Sequence, residues 1–250
     1  MKFGNASWGL RETPLEEQFK ITADMGLDAL EIGIANAPKD IPLEVTDAEL
    51  LKVKEMSKKY GVKIFSLGSY CGMNDKEMCD KTLETAVMLG APVIRVWAGE
   101  QSPKDCDEDY INLIVSNTVY MAKKAEKYNI SLGFEYHQNT LTETAESAVA
   151  LVKKVNMKNV GLYWQPLWMS TTEENLSART KVLPYLIGNL HIHNYSPEKG
   201  YQPLSDIMGD LHLYYDDIKE KDYNVMIEFV KDSDFENLKD DASVLKGVLS

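Results

Sequence analysis

One repeated alternation constrains this chain more than any motif in it. Short β-rich runs lie at 2–7, 28–34, 62–68, 92–98, 130–136, 159–165, 188–194 and 224–230. Helical patterns separate them near 14–25, 47–60, 75–89, 106–128, 143–155, 173–185, 207–221 and 235–248. Each strand–helix unit is about 30 residues long, the length of a βαβ crossover. The joints repeat too: Met25-Gly26-Leu27, Tyr60-Gly61-Val62, Leu89-Gly90-Ala91 and Tyr128-Asn129-Ile130 place Gly or Asn where a helix C-terminus needs left-handed backbone. Thr46-Asp47-Ala48-Glu49 and Thr171-Thr172-Glu173-Glu174 read as helix starts, with a capping hydroxyl ahead of acids that suit the N-terminal dipole. Eight consecutive units without a linker predict a single (β/α)₈ TIM barrel over residues 1–250, an α/β fold with a parallel eight-stranded barrel and outer helices. An open doubly wound sheet is the runner-up, but no GxGxxG or phosphate loop follows an early strand.

Charge and cysteine usage narrow the function classes. A formal net charge of −12 opposes nucleic-acid binding, because phosphate backbones attract dense Lys/Arg surfaces. No apolar run reaches the roughly 20 residues of a membrane helix, and the opening Met1–Ala6 stretch lacks a signal-peptide core. Cys71, Cys79 and Cys106 make no CxxC pair and no even framework, as expected of reduced thiols. A cytoplasmic location is the expectation.

Alternation within each strand sorts the side chains. The apolar set Ile130, Leu132 and Phe134 opposes Ser131, Gly133, Glu135 and His137. Val160, Leu162 and Trp164 oppose Gly161, Tyr163 and Gln165; Leu190 and Ile192 oppose Asn189, His191 and His193. In the last strand Val225, Ile227 and Phe229 oppose Asn224, Met226 and Glu228, and in the second Leu30 and Ile32 oppose Ala29, Glu31 and Gly33. The apolar faces must meet the helices, so the interior carries Glu31, Glu135, His137, Gln165, His191, His193 and Glu228, with Arg95 joining from the fourth strand. These groups gather at strand C-terminal ends, where barrels of this kind place their chemistry. Burying them without partners would cost several kcal/mol each, as an order of magnitude, and a shared polar site or a bound cation lowers that cost. Metal ligands, acid/base groups and satisfied core residues are all open readings of the two histidines.

Gly133-Phe134-Glu135-Tyr136-His137, Gly161-Leu162-Tyr163-Trp164-Gln165-Pro166, His191-Ile192-His193-Asn194 and Val225-Met226-Ile227-Glu228-Phe229 carry a resemblance. Together with the eight-unit order, they make the chain similar to the xylose isomerase-like TIM barrel superfamily, which includes sugar phosphate isomerases and epimerases. The resemblance implies one divalent metal cation (Mn, Mg, Co or Zn) held by Glu135, Gln165, His191 and Glu228. Gln165 departs from the pattern, because an acidic ligand is usual there. An amide oxygen can bind a hard cation but supplies no charge to hold it. The resemblance also implies Glu135 and Glu228 as the catalytic acid/base pair, working through a cis-enediol(ate) that the metal stabilises. His137, His193, Trp8, Arg95 and Trp168 are the expected substrate-binding residues, and homo-oligomers are common in such barrels.

The expected function is therefore an isomerase or epimerase acting on a sugar or sugar phosphate. Two alternatives remain: a metal-free or altered-metal lyase or dehydratase on a sugar derivative, and a non-catalytic carbohydrate-binding barrel. The superfamily's endonucleases do not fit, since they need a histidine-rich three-zinc site and this chain has four histidines and a charge of −12. Glu31 and Arg95 also read as mutual structural partners. Trp97 reads as core or as a sugar-stacking ring, Lys199 and Tyr201 as parts of a solvated loop, and His212 as a surface residue of a helix.

Overall fold

The alternation resolves into eight parallel strands that close on themselves. In the computed structural model, which describes residues 1–34 and 45–249, the first seven barrel strands are β1 (Lys2–Ala6), β2 (Ala29–Gly33), β3 (Lys63–Gly68), β4 (Val93–Val96), β5 (Ser131–Phe134), β6 (Val160–Trp164) and β7 (Leu186–Ile192). A two-stranded antiparallel hairpin follows, β8 (Asn194–Ser196) with β9 (Gly200–Gln202), where the sequence suggested only a long loop. The eighth barrel strand, β10 (Asn224–Ile227), closes the ring by pairing with β1 from Lys2↔Asn224 to Asn5↔Ile227.

The helices are α1 (Leu15–Asp24), α2 (Asp47–Tyr60), α3 (Lys76–Leu89), α4 (Glu108–Ala125), α5 (Ala145–Val155), α6 (Thr172–Val182), α7 (Met208–Tyr215) and α8 (Phe235–Leu249). Thr46 and Thr171 form full capping boxes with Glu49 and Glu174, which satisfy backbone N–H groups that a helix start leaves free. Asn129 closes its unit at φ 56°, a left-handed conformation that Asn tolerates through its short polar side chain. None of the described helices is long and apolar enough to cross a membrane.

The seventh helix is shorter than the periodicity over 207–221 predicted. A 3₁₀ turn at Leu204–Ile207 precedes it, and it ends at Tyr215. Arg179 on α6 caps the end. Its Nη1 donates to the Tyr214 carbonyl at 2.7 Å, while its two terminal nitrogens hold the Asp217 carboxylate at 2.7 and 2.8 Å. Tyr214 lies in the last turn, whose carbonyls have no intrahelical partner, and Arg179 satisfies one of them.

Side-chain sorting follows the expected faces. Leu132, Phe134, Leu162, Trp164, Leu190, Ile192, Val225 and Ile227 are all buried. Trp164 shows where this face points: its ring meets Tyr214 of α7 edge-on at 5.4 Å. The interior face needs space as well as polarity. A Cβ on Gly188 would lie 1.8 Å from Tyr163 Cε2, and one on Gly133 would lie 2.4 Å from Tyr163 Cδ2. These two glycines let a whole phenol ring lie across the barrel interior.

Gly188→Ala is therefore expected to force Tyr163 out of place and to destabilise the fold by about 1–3 kcal/mol, the usual cost of overpacking. Chemical denaturation measures this, and an unchanged midpoint would contradict the packing role.

Candidate active site

The site is built upward from a buried carboxylate. Glu31, on β2, is fully enclosed, and its Oε2 accepts hydrogen bonds from Ser66 Oγ (2.7 Å), Asn189 Nδ2 (2.6 Å) and His191 Nε2 (3.1 Å). An ionised carboxylate can only accept, so Nε2 of His191 carries a proton. That leaves Nδ1 facing the barrel mouth, 3.5 Å from Glu228 Oε1 and 3.9 Å from Glu135 Oε1. Tyr163 and Trp8 meet the imidazole edge-on at 5.2 and 6.0 Å and hold its plane.

Above His191 lie Glu135, just past β5, and Glu228, just past β10. Their main chains are tied to neighbouring strands through Glu135 N to Val96 O and Glu228 N to Ile192 O, both 2.9 Å. One ligand atom from each of Glu135, His191 and Glu228 lies within 4.8 Å of the others. Arg95 of β4 reaches the same place, with Nη1 3.3 Å from Glu135 Oε1 and 3.8 Å from Glu228 Oε1. His193 bonds the far oxygen of Glu228, Nδ1 to Oε2 at 2.9 Å.

The buried charges set one another's protonation. Burial raises the Glu228 carboxyl, but His191 and then His193 outweigh it and hold the group well below the usual carboxylate range. Glu31 behaves alike: burial raises it, and His191 and Arg95 bring it down. Burial opposes charge on His191, yet the Glu31 and Glu228 carboxylates push its imidazole up to about 10.

The donor set fits a divalent cation. Glu135 Oε2, Gln165 Oε1 and His191 Nδ1 are all buried without a hydrogen-bond partner among the described residues. The two oxygens are unmatched acceptors, costly at this depth unless something positive joins them, and His191 Nδ1 becomes a third on giving up its proton. The Gln165 amide is fixed by its Nε2, which donates to the Tyr136 carbonyl at 3.1 Å and leaves Oε1 as the unpartnered end.

A cavity of about 450 Å³ opens over the cluster, within the range of small-molecule sites. Glu135, Gln165, Glu228, Arg95, His137, His193, Trp8, Trp97 and Trp168 all line it. Trp97 stacks on His137 at 4.5 Å, and Trp168 stands at the rim, 46% exposed. His191 lies beneath the cavity rather than on its wall. Arg95 pairs first with Glu135 and not with Glu31. His212 sits apart on α7, 3.2 Å from Asp216.

Two expectations change. Tyr201 is not part of a solvated loop: the β8–β9 hairpin folds it back into the cavity wall, stacked on Phe229 at 4.5 Å. Phe229 itself does not join the outer apolar face, because β10 ends at Ile227 and strict alternation ends with it. Tyr70 and Tyr195 complete the aromatic wall and had no signal in the strand pattern. Ser66 and Asn189 beneath the site were also missed as functional groups, although Asn189 shares the parity of His191.

Comparison with known proteins finds a family match and similar folds. A family profile described as xylose isomerase-like TIM barrel matches residues 19–240. No curated protein matches the chain. Similar solved structures include a probable 3-DHS dehydratase from Bacillus anthracis (17% identity, TM-score 0.73, covering 98% of this chain and 99% of that one). A D-psicose 3-epimerase solved in the presence of D-fructose has 19% identity and TM-score 0.72, with 99% and 98% covered. A xylose isomerase-like barrel from Mycobacterium smegmatis in complex with magnesium has 16% identity and TM-score 0.69, with 99% and 97% covered. At these identities the likeness carries the fold alone.

The raised His191 gives a signed pH dependence. A base whose folded pKa exceeds its unfolded value contributes stability that is complete below the unfolded value, near 6.5, and lost as pH rises toward about 10. Protein stripped of divalent ions should therefore melt at progressively lower temperature from about pH 6.5 to about pH 10. His191→Asn should flatten that decline; a decline of equal slope in the variant would contradict the assignment.

Proposed function

The chain belongs to the xylose isomerase-like TIM barrel family, and on that premise we propose that it is an isomerase or epimerase acting on a sugar or sugar phosphate. The observation that carries this reading is the Glu135–His191–Glu228 cluster, with ligand atoms within 4.8 Å, at the floor of an aromatic-walled cavity. Carbohydrate C–H faces pack well on flat rings, and Trp97 and Trp168 offer them.

The chemistry needs a base at a C–H next to a carbonyl and an acid to return the proton. Glu228 is held ionised, which is the form a base requires. His193 orients it through the 2.9 Å bond. Glu135 is the partner carboxylate that returns the proton, and it lines the same cavity. Arg95 and His137 face the cavity and bind substrate oxygens. Glu135, Gln165, His191 and Glu228 would hold a divalent cation (Mn, Mg, Co or Zn), which would supply Lewis-acid polarisation of the carbonyl. Glu31 fixes the His191 ring so that Nδ1 faces that position.

A second reading is favoured by the His193–Glu228 pair. An imidazole 2.9 Å from the base can protonate a departing hydroxyl, which turns the same enediolate toward loss of water, a dehydratase outcome. A barrel that only binds carbohydrate is the third outcome of the test.

Incubation with a panel of ketoses and aldoses in D₂O, with Mn²⁺ present, separates these readings by NMR and mass. Isotope exchange at a carbon next to the carbonyl, with no loss of mass, supports isomerisation or epimerisation. Loss of water supports elimination. Binding without either supports the non-catalytic barrel and sinks both enzyme readings. Glu228→Gln should lower exchange by ~10²–10⁴-fold, the usual worth of a positioned acid/base.

A further inference from the structure

We propose that Arg95 is a built-in competitor for the divalent-ion site: its guanidinium occupies the Glu135–Glu228 carboxylates and weakens the site's hold on metal. The inference rests on the reading of Glu135, Gln165, His191 and Glu228 as that site. Arg95 Nη1 lies 3.3 Å from Glu135 Oε1 and 3.8 Å from Glu228 Oε1, and these two carboxylates are the only charged donors in the set. Gln165 contributes an uncharged oxygen. One fixed positive charge therefore stands within contact of both negative ones.

The guanidinium is held there from behind. Its carbon sits 4.4 Å from the Trp8 ring centroid and 5.4 Å from that of Tyr70, and the side chain is almost fully buried. Nε and Nη2 have no hydrogen-bond partner among the described residues, so the side chain's polar contacts are concentrated in Nη1 and the carboxylates. An imidazole can give up a proton to admit a metal, but a guanidinium keeps its charge at any working pH. At this depth water and salt screen the repulsion poorly. The arrangement has a structural consequence: without metal, Glu135 and Glu228 are still charge-paired, so the barrel mouth keeps its shape whether or not an ion is held.

Titration calorimetry of Mn²⁺ into the chelator-stripped full chain tests this, at one pH, with wild type, Arg95→Met, Arg95→Lys and Gln165→Asp. Arg95→Met should bind Mn²⁺ at least about tenfold more tightly, because a nearby repulsive charge is gone. Arg95→Lys keeps the charge and should stay close to wild type. A purely structural Arg95 predicts the reverse, with looser binding in Arg95→Met as the carboxylates lose their support; equal or looser binding there overturns the proposal. Gln165→Asp tells the two readings apart. If it binds Mn²⁺ while Arg95→Met gains nothing, the competitor role fails and the ion site stands. If no variant binds, the ion site fails and the competitor role goes with it. Should Arg95→Met not fold, the wild type answers by NMR: saturating Mg²⁺ should shift the Arg95 side-chain N–H signals, and metal binding that leaves them unmoved overturns the proposal.

Discussion

Three carboxylates, Glu31, Glu135 and Glu228, are buried at the mouth of one barrel, and the rest of the site follows from how their charge is balanced. Isolated, each would cost several kcal/mol, as an order of magnitude, and would neutralise rather than stay charged. Here two cations stand between them. His191 bridges Glu31 below and Glu228 above, and Arg95 lies against Glu135 and Glu228 from the side. The network extends over β2, β3, β4, β5, β7 and β10, so the polar cluster and the barrel's closure are mutually dependent. Breaking one member leaves another charge unmatched, which is costlier than never having had the pair.

The aromatic shell makes that balance work. Trp8, Tyr163 and Tyr70 hold the two cations from behind, in positions where water would otherwise weaken every interaction in the cluster. Room for these rings is taken from the backbone. Gly68, for example, could not carry a Cβ without meeting Trp8 at 2.4 Å. The polar floor and the glycine positions on the inner face are thus two sides of one packing solution.

Much of this was legible in the chain. Caps, left-handed joints and strand parity are local, and they anticipated all eight strands, the inward faces of Glu31, Glu135, Gln165, His191 and Glu228, and helix α2 from Asp47 to Tyr60. Legibility fails where periodicity stops. Phe229, one residue beyond Glu228, turns into the cavity because no strand pairing holds its alternation, and Tyr201 reaches the site only because a hairpin folds back. The cap on the last turn of α7 comes from Arg179, 35 residues before Tyr214, and no local pattern encodes that contact. Strand parity alone leaves Glu31 open as a partner for Arg95. The two are close enough for their charges to interact, but three hydrogen-bond donors, including Asn189 from 158 residues away, bind it instead.

Gln165 is the residue where local geometry and site charge pull in different directions. Its Nε2 donates to the Tyr136 carbonyl, and a carboxylate in its place could not make that bond. Losing one hydrogen bond of this kind costs about 0.5–1.5 kcal/mol. Gaining a unit negative charge about 4 Å from a cation is worth roughly 4 kcal/mol per unit of its charge at an effective dielectric of 20, so for a divalent ion the charge term wins clearly. The amide therefore preserves the loop's hydrogen bonding while giving up most of the electrostatic hold that an acid would supply. Arg95 acts in the same sense from β4. On the reading proposed for this site, both residues lower its net negative charge while leaving its donor geometry intact, so an ion there would be held by coordination more than by charge.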